Sequence, residues 1–253
     1  NNYFEQNMLY CHNQYGFRKN HSTTMAVNKV AEIVFNAFSK KEHAYAICLD
    51  LTKAFECVAH DLLLKKLELY GFDSSSLLLL KSYLTNRYQY VNYKNVNSTR
   101  QLIRYGVPQG SVLGPILFLI FINDLPSSSF MTNFILFADD TTLAGSNQDV
   151  KKLINEITQA ENEINTWFLS NKLCRNESKT QRLYFSLREL DTVEETINML
   201  GIILDKKMTF EQHIVKLSKS VSKRIYTLRR LRLVVSEKTL RAAYFGYIHN
   251  CLS

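Results

Sequence analysis

Two adjacent carboxylates, Asp139 and Asp140, close the block Phe137-Ala138-Asp139-Asp140, after the apolar run Asn133-Phe134-Ile135-Leu136-Phe137 and before the β-prone Thr141-Thr142-Leu143. The pattern predicts a β-hairpin whose turn holds two acids. Neighbouring buried acids repel each other and cost desolvation energy, so a chain keeps them at a strand end mainly where a cation neutralises them. Magnesium suits such a place, because it takes only one or two protein carboxylates and fills its octahedron with water and phosphate oxygens. For the dipeptide alone an ordinary Asp-Asp turn is the alternative, since Asp is a favoured turn residue.

A second acid at a strand end sharpens the expectation. Ala44-Tyr45-Ala46-Ile47-Cys48-Leu49-Asp50 is another short apolar run ending in a carboxylate, and a helical pattern follows Leu51-Thr52-Lys53-Ala54-Phe55. If the two strands lie side by side, Asp50 and Asp139 can bracket two metal ions roughly 3.5–4 Å apart, the arrangement that clamps attacking and leaving oxygens in phosphoryl transfer. A third element is the loop Gly106-Val107-Pro108-Gln109-Gly110-Ser111-Val112-Leu113-Gly114-Pro115, which feeds an apolar helical run from Ile116 to Ile122 with Pro115 in its first turn. Its glycines let backbone approach a ligand, and Gln109 and Ser111 offer hydrogen bonds to a base or sugar.

In order, Gln14-Tyr15-Gly16-Phe17-Arg18-Lys19-Asn20-His21-Ser22-Thr23-Thr24, Leu49 to Phe55, Gly106 to Pro115, Phe121-Ile122-Asn123-Asp124-Leu125-Pro126, Phe137 to Asp140, and Asn171-Lys172-Leu173-Cys174 up to Lys179-Thr180 resemble the reverse transcriptase of non-LTR, LINE-like, jockey-type retrotransposons. The resemblance runs over nearly the whole chain and implies roles. Asp50 is the expected first metal ligand and Asp139 and Asp140 the catalytic pair, with two magnesium ions, or manganese in their place, as cofactors. Phe55 falls where the family's bulky ring closes over the sugar and selects deoxynucleotides. Gln109 and Gly110 match the loop beneath nucleotide and template, with Ser111 beside them, and Arg18 and Lys53 complete the implied substrate contacts. Lys179 matches a lysine that protonates or screens the leaving pyrophosphate. The chain departs from the pattern at Glu56, where the family usually has Asp, and at Ala59, where an acid usually precedes the histidine. It also begins at Asn1 without the family's upstream basic fingers segment.

Composition agrees with a nucleic-acid enzyme. The chain has 253 residues, 46% of them hydrophobic, enough for a sizeable core. Its formal charge of +8 is uneven, because residues 206–253 hold 11 Lys/Arg and 2 Asp/Glu whereas residues 1–205 hold 20 and 21. The basic excess is expected to track a phosphate backbone. In that region Phe210, Ile214, Leu217, Val221, Ile225, Leu228 and Leu231 form a core-facing helical stripe, and Lys216, Lys219, Lys223 and Arg230 fall mostly on another face as candidate nucleic-acid contacts. A solvated helix packed on the rest of the protein is the alternative. By resemblance, residues 1–205 are partial fingers and palm, and residues 206–253 the start of a thumb that the chain leaves unfinished at Ser253.

The remaining patterns read as scaffold. Ser146 to Asp149 is expected to make a capping box with Asp in place of Glu, opening a helix through Val150, Leu153, Ile154, Ile157, Glu161, Ile164 and Phe168 to Ser170-Asn171, with Glu161 its one polar interruption. Leu63, Leu67 and Tyr70 before Gly71 read as a helix with a glycine stop. Trp167, His60 and His21 are expected to pack or cap, not to ligate. Five cysteines without a Cys-x-x-Cys pair argue against zinc or disulfide frameworks and for a reducing interior. The longest apolar stretch, Val112 to Ile122, is broken by Gly114-Pro115 and is too short to cross a bilayer.

The fold expected is therefore α+β, a palm-type polymerase core: a small antiparallel sheet carrying Asp50 and Asp139-Asp140, backed by helices. The resemblance implies an RNA template, a DNA primer and dNTPs as partners, no membrane, an intracellular ribonucleoprotein of nucleus and cytoplasm, and a longer polyprotein with an endonuclease domain. Two alternatives stay open: a catalytically inactive remnant with residual nucleic-acid binding, and a group II intron-type reverse transcriptase or maturase.

Overall fold

The computed structural model describes residues 2–188 and 194–249. In chain order its elements are α1 (Asn2–Gln6), α2 (Thr23–Ser39), β1 (His43–Leu49), α3 (His60–Leu69), α4 (Ser74–Leu84), β2 (Arg87–Gln89), β3 (Asn92–Tyr93), β4 (Val96–Asn97), β5 (Gln101–Ile103), α5 (Leu113–Ile122), β6 (Asn133–Phe137), β7 (Asp140–Asn147), α6 (Val150–Ser170), β8 (Gln181–Phe185), β9 (Thr196–Met199), β10 (Ile202–Asp205), α7 (Glu211–Leu231) and α8 (Glu237–Tyr244). Four strands form an antiparallel sheet in the order β6-β7-β1-β8.

Because β1 is central, both of its faces must be covered, which explains an apolar run without polar alternation. Tyr45, Ile47 and Leu49 point into a core shared with α3, α5 and α6. Ala44 and Ala46, with Ala144 of β7, face Ala26, Val27, Val30, Val34 and Ala37 of α2. Small side chains on both partners let helix and sheet approach closely. Across the ladder Tyr45 pairs with Gly145, where any β-carbon would sit 2.9 Å from the tyrosine ring.

The hairpin read from the sequence is present: Phe137 pairs with Asp140 around a two-residue loop of Ala138 and Asp139. Helix α3 ends as expected, with Gly71 at φ 85 donating to the Glu68 carbonyl and Phe72 to that of Leu67, a Schellman closure. The expected capping box does not form. Ser146 lies inside β7 and donates to Glu42, and Asp149 itself is the N-cap of α6, accepting from the Lys151 and Lys152 amides. Because β7 runs on to Asn147, past Ser146, the cap falls three residues later.

Glu161, the polar interruption in α6, is accounted for by partners remote in sequence. Its Oε1 lies 2.7 Å from Arg175 and 2.9 Å from Arg182, and both arginines also reach Glu177.

The stripe on α7 is not the core face its periodicity predicts. Among the described residues no side chain of α7 is buried, and Ile214 remains 55% exposed. Periodicity marks a face that could be covered; it does not supply a covering layer. Cys11, Cys48, Cys57 and Cys174 are free thiols, Cys251 lies outside the described residues, and no described helix is long and apolar enough to cross a membrane.

Candidate active site

Asp50 directly follows β1, whose last ladder pair is Leu49 with Thr141, so Asp50 emerges alongside Asp140 at the head of β7. On its other flank β1 pairs with β8, and Lys179, two residues before that strand, places its ammonium 3.8 Å from the Asp50 carboxylate. Three segments far apart in sequence thus deliver Asp50, the Asp139-Asp140 turn and Lys179 to one end of the sheet. Asp140 is solvent-exposed on one side, yet protein crowds its carboxyl. Burial first, then the Asp139 and Asp50 carboxylates, push its pKa up to about 6. Three acids collect here beside one ammonium, that of Lys179.

The turn is held from outside the sheet. Ala138 adopts a left-handed φ of 56, a conformation costly for a residue with a β-carbon unless its surroundings enforce it. Residues 13–16 run beside β6, with the Tyr15 amide on the Leu136 carbonyl and the Leu136 amide on that of Asn13, both at 2.8 Å. From this segment the buried Gln14 side chain accepts from the Ala138 amide at 3.1 Å and from Gly16 at 2.7 Å. Gly16 is obligatory for the contact, since a β-carbon there would lie 2.3 Å from the Ala138 nitrogen. The role of Gln14 is not legible in the sequence, because a glutamine two residues before a glycine carries no signal of which distant backbone amide it will meet.

Arg18 corrects an expectation. Its guanidinium is turned inward: it pairs with both Glu5 carboxylate oxygens at 3.2 and 3.0 Å, donates to the Cys11 carbonyl at 3.1 Å and to the Gln14 carbonyl at 3.4 Å, and lies over the Tyr10 ring. Each of its three nitrogens meets a protein acceptor and its side chain is only 12% exposed, so in this structure it organises residues 5–14 instead of facing a substrate. The Arg18 hydrogen bond holds the Glu5 carboxyl below the usual carboxylate range.

Around the acids, Phe55 is half-buried and stacks on Phe118 of α5, with centroids 4.3 Å apart at 25°. Lys53 is exposed at a left-handed φ of 49, its ammonium 3.8 Å from Glu56. Gln109 is exposed and donates to Glu56 at 3.3 Å, so the residue that departs from the family pattern steadies the loop. Gly110 is open, with φ 75 and nothing within 4 Å of where a β-carbon would point. The Ser111 hydroxyl does not face outward as its chemistry suggested: it donates to the Pro108 carbonyl at 2.6 Å and accepts from the Gly114 amide at 3.0 Å, closing the turn into α5.

His60 packs at the start of α3 with its ring against the Gly106 carbonyl at 2.7 Å. His21 meets the Lys19 carbonyl at 2.9 Å. Trp167 shares Asp124 with Lys66, whose ammonium lies 4.7 Å from the indole. In the same motif Asn123 accepts from Cys11 and donates to Leu9 and to the Tyr70 hydroxyl, fastening α5 to the N-terminal segment. Lys216, Lys219 and Lys223 line one groove of about 590 Å³ along α7, and Arg230 is exposed further along the helix.

Residues 1–204 match the family model described as reverse transcriptase (RNA-dependent DNA polymerase). The chain belongs to this family. It is 32% identical over 256 residues to the probable RNA-directed DNA polymerase from transposon BS of Drosophila melanogaster, covering 93% of the chain and 28% of that protein. With the RNA-directed DNA polymerase from mobile element jockey of the same fly it shares 28% over 225 residues, 82% of the chain and 24% of that protein. The chain therefore spans less than a third of these relatives. Among solved structures, an apo telomerase from Candida tropicalis superposes with a TM-score of 0.58 at 14% identity, over 79% of the chain and 40% of that one. At that identity the likeness concerns the fold, the mixed helix and sheet of a palm-type core.

The donor chemistry of the site suits the divalent ion on which this family generally depends. Asp50, Asp139 and Asp140 offer hard oxygens with Lys179 beside Asp50, and burial together with the neighbouring acids raises the pKa of Asp140. Among the described residues no three His, Cys, Asp or Glu side chains are drawn close enough together to hold a metal ion, so Asp50, Asp139 and Asp140 stand as an open, unassembled set. An open set is compatible with magnesium, which keeps positions for water and phosphate.

Proposed function

We propose that this chain is the catalytic core of an RNA-directed DNA polymerase of a non-LTR mobile element, adding deoxynucleotides to a primer 3′-hydroxyl on an RNA template with release of pyrophosphate. The observation that carries the reading is the meeting of Asp50, the Asp139-Asp140 turn and Lys179 at one sheet end in a chain of this family. Asp50, Asp139 and Asp140 would hold two magnesium ions, or manganese, which when bound lower the pKa of the attacking hydroxyl and neutralise developing charge.

The chain's own residues do the positioning. Lys179 stands beside Asp50, where an ammonium screens or protonates the leaving pyrophosphate. Phe55, braced by Phe118, presents its ring to the sugar, and Gln109 with Gly110 forms the floor beneath nucleotide and template. Residues 206–253 are read as the start of a thumb whose lysines grip phosphates without reading bases. On this reading the chain works as part of a longer polyprotein with an endonuclease domain, in a ribonucleoprotein of nucleus and cytoplasm. The jockey and BS relatives, matched over 82% and 93% of the chain, favour the mobile-element type over the intron type.

Primer extension on an RNA template with magnesium and dNTPs tests the reading. Extension is expected from the wild type and not from Asp139→Asn. A wild type that binds primer-template but never extends it would assign the chain to the inactive class.

A further inference from the structure

Between Asp73 and Asp124 the chain has no acidic residue. Within that span β2 pairs with β5 and β3 with β4, building a ribbon in which every residue from 86 to 102 is exposed. The ribbon and its root carry Arg87, Lys94, Arg100 and Arg104, and four tyrosines that remain largely open: Tyr88 at 61%, Tyr90 at 51%, Tyr93 at 69% and Tyr105 at 53%. Lys94 lies 5.4 Å from the Tyr93 ring and Arg100 5.9 Å from that of Tyr90. Averaging charge over residues 1–205 conceals this stretch.

Exposed aromatic rings in such density mark a binding surface. Tyrosine and arginine also suit protein interfaces, but an interface with protein has no need of a single charge sign across fifty residues, whereas a polyanion does. Cations interleaved with aromatic faces are the pattern of single-strand binding, in which bases stack on rings and phosphates meet the cations. Position adds to composition. A cavity of about 720 Å³ joins the ribbon's root, at Arg87, Tyr88, Arg104 and Tyr105, to Gln109 of the glycine loop.

We infer that the ribbon of residues 87–105 is a docking platform for unpaired template RNA, stacking its bases on Tyr90 and Tyr93 and leading the strand along the cavity toward Gln109. The inference rests on the polymerase reading for its choice of RNA.

Binding of a labelled single-stranded RNA of about a dozen nucleotides to the full chain, without nucleotides, tests it. Tyr90→Ala with Tyr93→Ala should weaken binding by about tenfold or more per tyrosine, and Tyr90→Phe with Tyr93→Phe should retain it. A double-stranded RNA of the same length should lose little with either pair. Should the alanine pair lower thermal stability, Lys94→Gln with Arg100→Gln carries the test, and its salt dependence should flatten by about 1.4 in slope. Equal single-strand binding by wild type and alanine pair, equal loss of double-stranded RNA, or an unchanged salt slope would overturn the platform. Because no extension step is involved, a wild type that fails primer extension yet binds RNA through Tyr90 and Tyr93 would sink the polymerase reading and leave the platform standing.

Discussion

The side-chain oxygen of Gln14 accepts from the Ala138 amide at 3.1 Å, so a residue 124 positions upstream fixes the turn that presents Asp139 and Asp140. Gln14→Met keeps the length and removes the acceptor, leaving two buried amides unpaired. A loss of about 1–3 kcal/mol is expected in urea denaturation, with a fall in primer extension that raising the dNTP concentration does not recover. Unchanged stability would show that water replaces the bond.

Asp140 gives a pH signature. Burial and the neighbouring acids raise its pKa from the ordinary 3.8 to about 6 in the folded protein, so between those values the native state holds more proton than the unfolded one. Stability therefore falls as pH rises from about 4 to about 6, opposite to the usual carboxylate trend. Thermal melts across that window, without divalent ions, should show the decline, and Asp140→Asn should remove it. Magnesium at neutral pH should restore stability to the wild type more than to Asp140→Asn. A flat wild-type profile would remove Asp140 from the crowded cluster.

Phe55, stacked on Phe118, separates two roles. If its ring selects the sugar, Phe55→Val admits ribonucleotides while deoxynucleotide incorporation is largely kept, because exclusion built on bulk is lost when bulk is removed. If it is core, truncation costs up to about 3 kcal/mol and lowers both activities together. The ratio of incorporation efficiencies in wild type and variant decides.

Lys216→Ala with Lys223→Ala should weaken primer-template binding about equally for all sequences and reduce the salt slope by about 2, since phosphate contacts release counterions and carry no base information. An unchanged slope would make the α7 groove a solvated surface.

Glu161 is the acceptor that both Arg175 and Arg182 share. Glu161→Gln should destabilise by about 3 kcal/mol, because it leaves Arg175, at 9% exposure, with only Glu177 as counter-charge. Chemical denaturation checks it, and a loss below about 1 kcal/mol would rank the pair with surface bridges.

What could be read in the sequence was what lies local to it. Apolar runs ending in acids located β1, the hairpin and their site, because strand ends and turn residues are neighbours in the chain. The role of Arg18 is not legible in the sequence, because a guanidinium beside a glycine motif looks the same whether its acceptors are phosphates or the Cys11 and Gln14 carbonyls. The exposure of the α7 stripe is not legible either, because period reveals a face and not its cover. The ribbon's tyrosines are each ordinary alone in the sequence, and their meaning is in shared exposure.

The order β6-β7-β1-β8 has a consequence for synthesis on the ribosome. Asp50 is made before the strands that flank it, which are completed only at Asn147 and Phe185. Until both have left the exit tunnel β1 keeps at least one unpaired edge and Lys179 has no fixed place, so a nascent chain arrested before that point contains the motifs yet no site. During that interval a bare edge of an apolar strand is open to aggregation, and the long separation between paired strands makes closure slow. Translation pauses ahead of residue 186 should lower the yield of active protein more than pauses after it.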